Sequence, residues 1–359
     1  MNKQGKKRVL LGLSGGVDSA LSALLLKEQG FELNAVRMGV YNGPEHAGIN
    51  GGCYGRNAAE DVEAAARLAA QLNIPFRVID CAEPYEKLVM NYFKGEYLAG
   101  RTPNPCIRCN ETVKFGALLT LARQSGLEFD YFATGHYARL EHSPEFGCTV
   151  LRRGADPVKD QSYFLYRLKP ELLNNLIFPL GGYSKTETRR LAAERGLVVH
   201  DRPDSQDFYG GEYADLLEMP CREGNIVDSS GKVLGRHKGF WHYTPGQRRG
   251  LGVPAAHPLY VLKILPACNE VVVGPAEENL FEGCLIENVN FLLPSPEDGS
   301  RLLAKMRSFQ KPHPVLINRG SEEDTMRITF EKPMSGLAPG QSLVLYKDDI
   351  VVGGGIIRA

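Results

Sequence analysis

The first apolar run, Val9 to Leu11, gives way to the polar and glycine-rich stretch Gly12 to Ser19, and then to a segment with Leu21, Leu24, Leu25 and Leu26. That order predicts a strand, a tight turn and a helix. Leu33 to Met38 reads as a second strand. Tyr41 to Arg56 is rich in Gly and Asn and has no periodicity, which predicts a mobile loop over a site. Val62, Ala65, Ala66, Ala69 and Leu72 share one face of a predicted helix from Ala58 to Leu72, and Phe76 to Ile79 reads as a third strand. Helical patterns run up to Ala99 and again from Thr112 to Gln124. Tyr131 to Thr134 is another short strand, ending at Gly135-His136. Ser184-Lys-Thr-Glu187 has the form of a capping box opening a helix to Arg195, with Gly196 as its stop. Strands alternating with helices predict an α/β doubly wound parallel sheet, in which ligands lie at the carboxyl ends of strands. The Gly12 to Ser19 turn, Met38 and Gly135 all fall at such ends.

From about Asp201 the texture changes. Lys232 to Leu234, Tyr260 to Ile264 and Glu270 to Val273 are short strand patterns among Gly, Pro and Asn turns. Beyond Pro275 follow Leu302 to Met306, Val315 to Ile317, Thr325 to Phe330, Leu343 to Tyr346 and Val351 to Ile357. This predicts a small central α+β domain and a C-terminal β-barrel. A chain of 359 residues is long for one core, and the expected division is 1–203, 204–277 and 278–359.

Composition refines this picture only slightly. Lys plus Arg and Asp plus Glu are 42 each, so any polyanion partner must be held by a local basic surface rather than by net charge. Met1 to Arg8 lacks an apolar signal region, and no stretch of about 18 apolar residues follows. A cytoplasmic protein without a membrane partner is expected. Eight cysteines scattered over this length do not read as a disulfide framework. Cys148, Cys221, Cys268 and Cys284 read as packing residues.

Two stretches carry candidate chemistry. In Gly12-Leu-Ser-Gly-Gly-Val-Asp-Ser19, Gly15 and Gly16 let backbone approach a ligand, while Ser14, Asp18 and Ser19 place oxygens at the helix start. Such a turn aims N–H groups at an anion. It lacks the lysine of a Walker loop and the spacing of a dinucleotide-binding turn. In Gly100-Arg-Thr-Pro-Asn-Pro-Cys-Ile-Arg-Cys-Asn110, two prolines stiffen a loop and Cys106 and Cys109 fall on one side of a turn. Half of a zinc site, a redox pair, and a cluster or nucleophile site are the three meanings of that spacing. A four-ligand structural zinc site needs a second pair, which is absent; His136 and His200 are isolated.

The first stretch closely resembles the PP-loop of the ATP pyrophosphatases, which cleave ATP between its α and β phosphates. Further along come Thr102-Pro-Asn-Pro with Cys109-Asn110, Ala133-Thr-Gly-His-Tyr137, Lys159-Asp-Gln-Ser-Tyr-Phe-Leu165, Thr244-Pro-Gly-Gln-Arg248, Pro339-Gly-Gln341 and Gly353-Gly-Gly-Ile-Ile357. In this order, over essentially the whole chain, they resemble the bacterial tRNA-specific 2-thiouridylases of the MnmA type. The resemblance implies an adenine nucleotide α-hydrolase-like PP-loop domain. It implies ATP and Mg²⁺ as cofactors, and tRNA and a sulfur donor, a protein persulfide or sulfide, as partners. The implied activity adenylates the C2 oxygen of a wobble uridine, after which enzyme-borne sulfur displaces AMP. The ATP site would be Gly12, Leu13, Ser14, Gly15, Gly16, Val17, Asp18 and Ser19 with Met38 and Gly135, Asp18 also helping to hold Mg²⁺. Cys109 matches the nucleophilic cysteine. Asn104, Pro105 and Cys106 match the loop at the target base. Lys159, Asp160 and Gln161, and then Arg307 and Ser308, match tRNA contacts; relatives often have an aromatic residue at the place of Ser308.

The chain departs from this family in one stretch. Where relatives carry a second cysteine that takes sulfur as a persulfide, this chain reads Ser205-Gln-Asp-Phe-Tyr209. A phenol cannot carry sulfane sulfur. Three readings stand: a relay between Cys106 and Cys109, an iron–sulfur cluster on Cys106, Cys109 and Cys53, or a tRNA-binding paralogue with altered sulfur transfer. A PP-loop ligase adding nitrogen to another adenylated substrate is the competing enzyme, and it needs no Cys109.

Overall fold

The structure, a computed structural model, describes residues 6–41, 58–197, 209 and 213–358. Contacts between residues gather these into two compact units. The first comprises Met1–Val89, Cys106–Gly211 and Asp349–Val351, and the second Met90–Pro105, Glu212–Asp348 and Val352–Ala359.

The first unit is built on strands β1 (Arg8–Gly12), β2 (Glu32–Gly39), β3 (Phe76–Asp80), β4 (Tyr131–Ala133) and β7 (Leu176–Ile177), in the order β3-β2-β1-β4-β7 and all parallel. β1 is central and fully buried at Val9, Leu10 and Leu11, which is why its sequence is a continuous apolar run rather than an alternation. Order reverses beside β1, and the Gly12 to Ser19 turn leaves its carboxyl end at that switch point. Helix α1 (Val17–Glu28) follows the turn. Its Leu21, Leu25 and Leu26 join Ala65 and Leu68 of α2 (Ala58–Gln71), Leu72 just after it, and Ala192 of α7 (Lys185–Glu194) in one core.

The helical stretch after β3 runs as α3 (Ala82–Tyr85) and a π-helical turn, Glu86–Met90. The stretch bearing the two cysteines is α5 (Pro105–Cys109), a π-helical segment over Asn110–Ala117, and α6 (Leu118–Gln124). An antiparallel hairpin, β5 (Ala138–Ser143) with β6 (Cys148–Arg153), completes this unit. The loop expected over Tyr41 to Arg56 lies, apart from Tyr41, outside the described residues, and so does Cys53.

The second unit contains helix α4 (Asn91–Leu98) and a four-stranded sheet of β8 (Gly224–Asp228), β9 (Val233–His237), β10 (Tyr260–Leu265) and β11 (Glu270–Gly274), ordered β10-β11-β8-β9. It also contains a closed six-stranded barrel. Strands β12 (Leu280–Phe291), β15 (Thr325–Ser335), β14 (His313–Arg319), β13 (Ser300–Lys305), β16 (Ser342–Lys347) and β17 (Ile350–Ile357) pair in that order, and β17 returns to β12. Closure leaves no free barrel edge.

Candidate active site

The Gly12 to Ser19 turn is held by its own hydroxyls. Ser14 and Ser19 Oγ lie 3.1 Å apart, the Ser14 N–H donates to Ser19 Oγ (3.2 Å), and Ser19 Oγ donates to the Gly16 carbonyl (3.0 Å). Gly15 has φ of 84°, a left-handed conformation that a side chain would strain. Gly16 is the N-cap of α1, and its N–H donates to Ser14 Oγ at 3.4 Å. Arg37 of β2 donates to the Ser14 carbonyl from outside the turn and pairs with Asp61 at 3.0 Å.

Asp18 is held by two residues from outside the turn. Tyr137 Oη donates to its Oδ1 at 2.7 Å, and Lys185 Nζ lies 2.8 Å from Oδ1 and 2.9 Å from Oδ2. Lys185 comes from the first turn of α7, where Ser184 and Glu187 form the capping box and the Lys185 N–H donates to Asp156. Gly135 is explained by proximity. A Cβ there would sit 3.0 Å from the Asp18 carbonyl carbon and 3.1 Å from the Ser19 nitrogen, so only glycine lets β4 run this close to the turn. Met38 stands near the end of β2, opposite Ile79. All ten residues expected at the nucleotide thus lie in the first unit, at the carboxyl edge of its sheet.

The expected Lys159, Asp160 and Gln161 divide by exposure. The Asp160 carboxylate is fully buried; Arg153 Nε donates to it at 3.0 Å, and the Gly154 and Ser162 N–H groups at 3.1 Å each. Gln161 exchanges hydrogen bonds with the Tyr137 backbone, its Oε1 accepting and its N–H donating, both at 2.9 Å. Gln161 thus holds the Tyr137 backbone, while Asp160 ties together the turn beside it. Lys159 is half-buried.

Cys106 and Cys109 lie three residues apart on α5, on one helical face, and both are half-buried. The stretch begins a helix rather than continuing a loop, because Pro105 at its first position has the right φ and no N–H to waste. After Cys109 the π-helical segment is locked down. Asn110 donates to the Phe164 carbonyl at 3.1 Å, Arg167 pairs with Glu111 at 2.9 Å, and the Phe115 ring lies 5.5 Å from Phe132 of β4. His136, half-buried between Phe115 and Phe178, is pushed well below the usual histidine range by desolvation and by Lys114. It stays neutral, with Nδ1 2.7 Å from Thr134 Oγ1. Cys81, directly after β3, is fully buried, and its thiol is pushed up to about 12 by that burial, by Asp80 and by neighbouring Cys109. Cys109 therefore sits near the carboxyl edge of the sheet, the same edge as the PP-loop turn.

In the second unit the loop bearing Asn104 and Pro105 is anchored by the Pro339-Gly-Gln341 motif. The Thr102 N–H donates to the Pro339 carbonyl at 2.7 Å, and Gln341 Nε2 donates to the Pro103 carbonyl at 3.3 Å. Gly340, with φ of 88°, lets Arg101 and Thr102 pack where a Cβ would collide at 2.9 Å. Burial raises the phenol of Tyr97 in α4 to about 12, although Arg307 lies close enough to pull against that rise. Ser308 is half-buried, whereas the next residue, Phe309, is 89% exposed.

Sequence reasoning missed Lys185, Tyr137, Arg37 and Cys81. Cys81 directly follows a predicted strand, and that place at the carboxyl end of the sheet, shared with Met38, is a signal that could have found it. Lys185 was hidden by the capping box around it, which accounts for the local sequence without any ligand. Tyr209 is buried; Ser205 to Phe208 lie outside the described residues.

Among the described residues no three of His, Cys, Asp and Glu are grouped to hold a metal ion. Cys106 and Cys109 supply two thiolates, and three are needed for the expected cluster. No helix among the described residues is long and apolar enough to cross a membrane.

Comparison with known proteins matches three family profiles in succession. They are the tRNA methyl transferase HUP domain over residues 7–209, the tRNA methyl transferase PRC-barrel domain over 217–275, and the aminomethyltransferase β-barrel domain over 281–357. A tRNA-specific 2-thiouridylase MnmA from Endomicrobium trichonymphae is 43% identical over 357 residues, 98% of each chain. Those of Clostridioides difficile and Carboxydothermus hydrogenoformans are 41% and 40% identical, covering 98% of both chains in the first case, and 100% of this chain and 99% of the relative in the second. With the parallel sheet, the turn at its switch point and the closed barrel, this similarity over the full length establishes that the chain belongs to the tRNA-specific 2-thiouridylase MnmA family.

Proposed function

We propose that the protein is a cytoplasmic tRNA-uridine 2-sulfurtransferase that uses ATP to convert the wobble uridine of tRNA anticodons to 2-thiouridine. The observation that carries this reading is the sharing of one sheet edge by the Asp18-centred turn and Cys109. Family membership over the whole chain supports it. The three matched profiles likewise support a division into a PP-loop catalytic domain (1–203), a small central domain (204–277) and a C-terminal barrel (278–359).

In this reading Gly12 to Ser19, Met38 and Gly135 hold ATP, with Mg²⁺ accompanying the phosphates. The C2 oxygen of the uridine attacks the α-phosphorus and pyrophosphate leaves, turning a poor leaving oxygen into a good one. One of Cys106 and Cys109 carries a persulfide received from a sulfur donor. Its terminal sulfur attacks C2 and AMP departs. The other thiolate then attacks the inner sulfur, which frees 2-thiouridine and leaves a Cys106–Cys109 disulfide for an external dithiol to reduce. Both cysteines on one helical face suit that exchange. Asn104 and Pro105 border the target base, while Lys159, Arg307 and Ser308 meet the tRNA, with Asp160 and Gln161 supporting from beneath. An iron–sulfur cluster would need Cys53 as third ligand, and no step is assigned to one.

The test is product analysis: anaerobic incubation with ATP, a persulfide donor and unmodified tRNA, followed by measurement of nucleotides. The reading expects pyrophosphate to be released only when tRNA is present, and AMP only when tRNA and a sulfur source are both present. ADP as the product, or AMP release independent of tRNA, would sink it.

A further inference from the structure

We propose that Lys185 is a further catalytic residue, the cation that binds the β- and γ-phosphates of ATP and neutralises pyrophosphate as it leaves. This rests on the nucleotide reading above and deepens it. The turn from Gly12 to Ser19 contains no lysine or arginine, so its own attraction for a triphosphate is limited to N–H groups and about half a charge of helix dipole. The fold supplies a full charge from 167 residues further along. The Lys185 side chain is only 11% exposed and its ammonium sits on both Asp18 oxygens, within the turn itself.

The surroundings fix where this ammonium can go. The Ser184 and Glu187 capping box sets the start of α7, and the bond from the Lys185 N–H to Asp156 at 3.0 Å pins its backbone. Tyr137, which donates to Asp18 at 2.7 Å, keeps a hold on that carboxylate when the lysine swings toward phosphate. Asp18 thus parks the lysine beside the anion site while the site is empty. An ion pair of this kind contributes little to stability once the desolvation of both charges is counted, whereas a mobile ammonium at an anion-binding turn has an immediate use.

The chemistry balances without a proton moving to or from Lys185. As the uridine oxygen bonds to the α-phosphorus, the bond from that phosphorus to the bridging oxygen breaks. Its electron pair leaves on pyrophosphate, and the growing negative charge meets a fixed positive one. Lys185 stays protonated throughout.

Calorimetric titration of ATP, pyrophosphate and AMP separates the possibilities. Lys185→Met is expected to weaken ATP and pyrophosphate by about 10- to 100-fold, the worth of a charge-assisted hydrogen bond, and to leave AMP unchanged; Lys185→Arg should recover part of the loss. Should Lys185→Met fail to fold, Asp18→Asn/Lys185→Met removes both charges and is compared with Asp18→Asn, with the same loss expected for pyrophosphate. Equal pyrophosphate affinity in that pair, or wild-type ATP affinity in a folded Lys185→Met, would show that the lysine serves only Asp18 and would overturn the assignment. Wild-type protein that binds no ATP would overturn the nucleotide reading and the role of Lys185 with it, so the two failures look different.

Discussion

Gly135→Ala offers a sharp test of how the nucleotide turn is held. The added Cβ would stand 3.0 Å from the Asp18 carbonyl carbon, 3.1 Å from Asp18 Cβ and 3.1 Å from the Ser19 nitrogen, against about 3.5–4.0 Å for comfortable carbon contacts. Two of those three atoms are backbone in the first turn of α1, so no side-chain rotation relieves the clash. Gly135 is not among the residues with positive φ; the penalty is therefore steric and falls on the turn. Overpacking of this kind costs about 1–3 kcal/mol. If that cost is drawn from the ATP complex, it weakens binding by about 5- to 150-fold. Two glycines serve as controls. A Cβ at Gly12 would meet only side chains, at 3.4 and 3.6 Å, and the next atom, a backbone oxygen, lies at 3.7 Å; a Cβ at Gly182 would meet nothing within 4 Å. Calorimetric ATP titration beside thermal unfolding should rank the losses Gly135→Ala above Gly12→Ala above Gly182→Ala. A Gly135→Ala protein that binds ATP and melts like wild type would refute the account of the turn.

Other outcomes follow from individual contacts. Ser184→Ala removes the capping box of α7 and should lower the unfolding free energy by about 1 kcal/mol, measured by urea titration. Burial pushes the Cys81 and Cys284 thiols up to about 12 from an ordinary 9.0. Both protons are then bound more tightly in the folded chain, so their contribution to stability is complete below pH 9 and falls as pH rises toward 12. Urea midpoints that rise across that window would contradict the assignment. Mass-mapped alkylation of the native protein should label half-buried Cys106 and Cys109 well before Cys81, and early labelling of Cys81 would place it outside the core.

The parts of this fold legible in the sequence are those whose causes are local. The apolar run of β1, the glycine turn, the face of α2 and the Ser184 cap each follow from a few neighbouring residues, and the structure reproduces them within a residue or two. What escaped notice depends on partners far away. The hairpin of β5 and β6 mixes Arg, Glu and His with apolar residues because its charges pair: Arg152 meets Glu141 at 3.0 Å and also meets Asp349. That blurs the alternation by which a strand is recognised. The π-helical segment after Cys109 has no sequence signal, since its geometry is set by Phe115 packing on Phe132 and Asn110 reaching Phe164. The PP-loop residues could be named from the motif alone, but the grip of Tyr137 and Lys185 on Asp18 spans 119 and 167 residues and exists only in three dimensions. For Asp160 the motif match and the geometry point to different work, because a carboxylate buried under Arg153 and two N–H groups supports the site from beneath.

In the proposed mechanism sulfur reaches tRNA through Cys109, although Tyr209 stands where the family resemblance places a second cysteine. Anaerobic reactions with ATP, a persulfide donor and unmodified tRNA, digested to nucleosides and read by mass spectrometry, test it directly. Wild-type protein should yield 2-thiouridine and Cys109→Ser none; product from Cys109→Ser at the wild-type level would contradict the account.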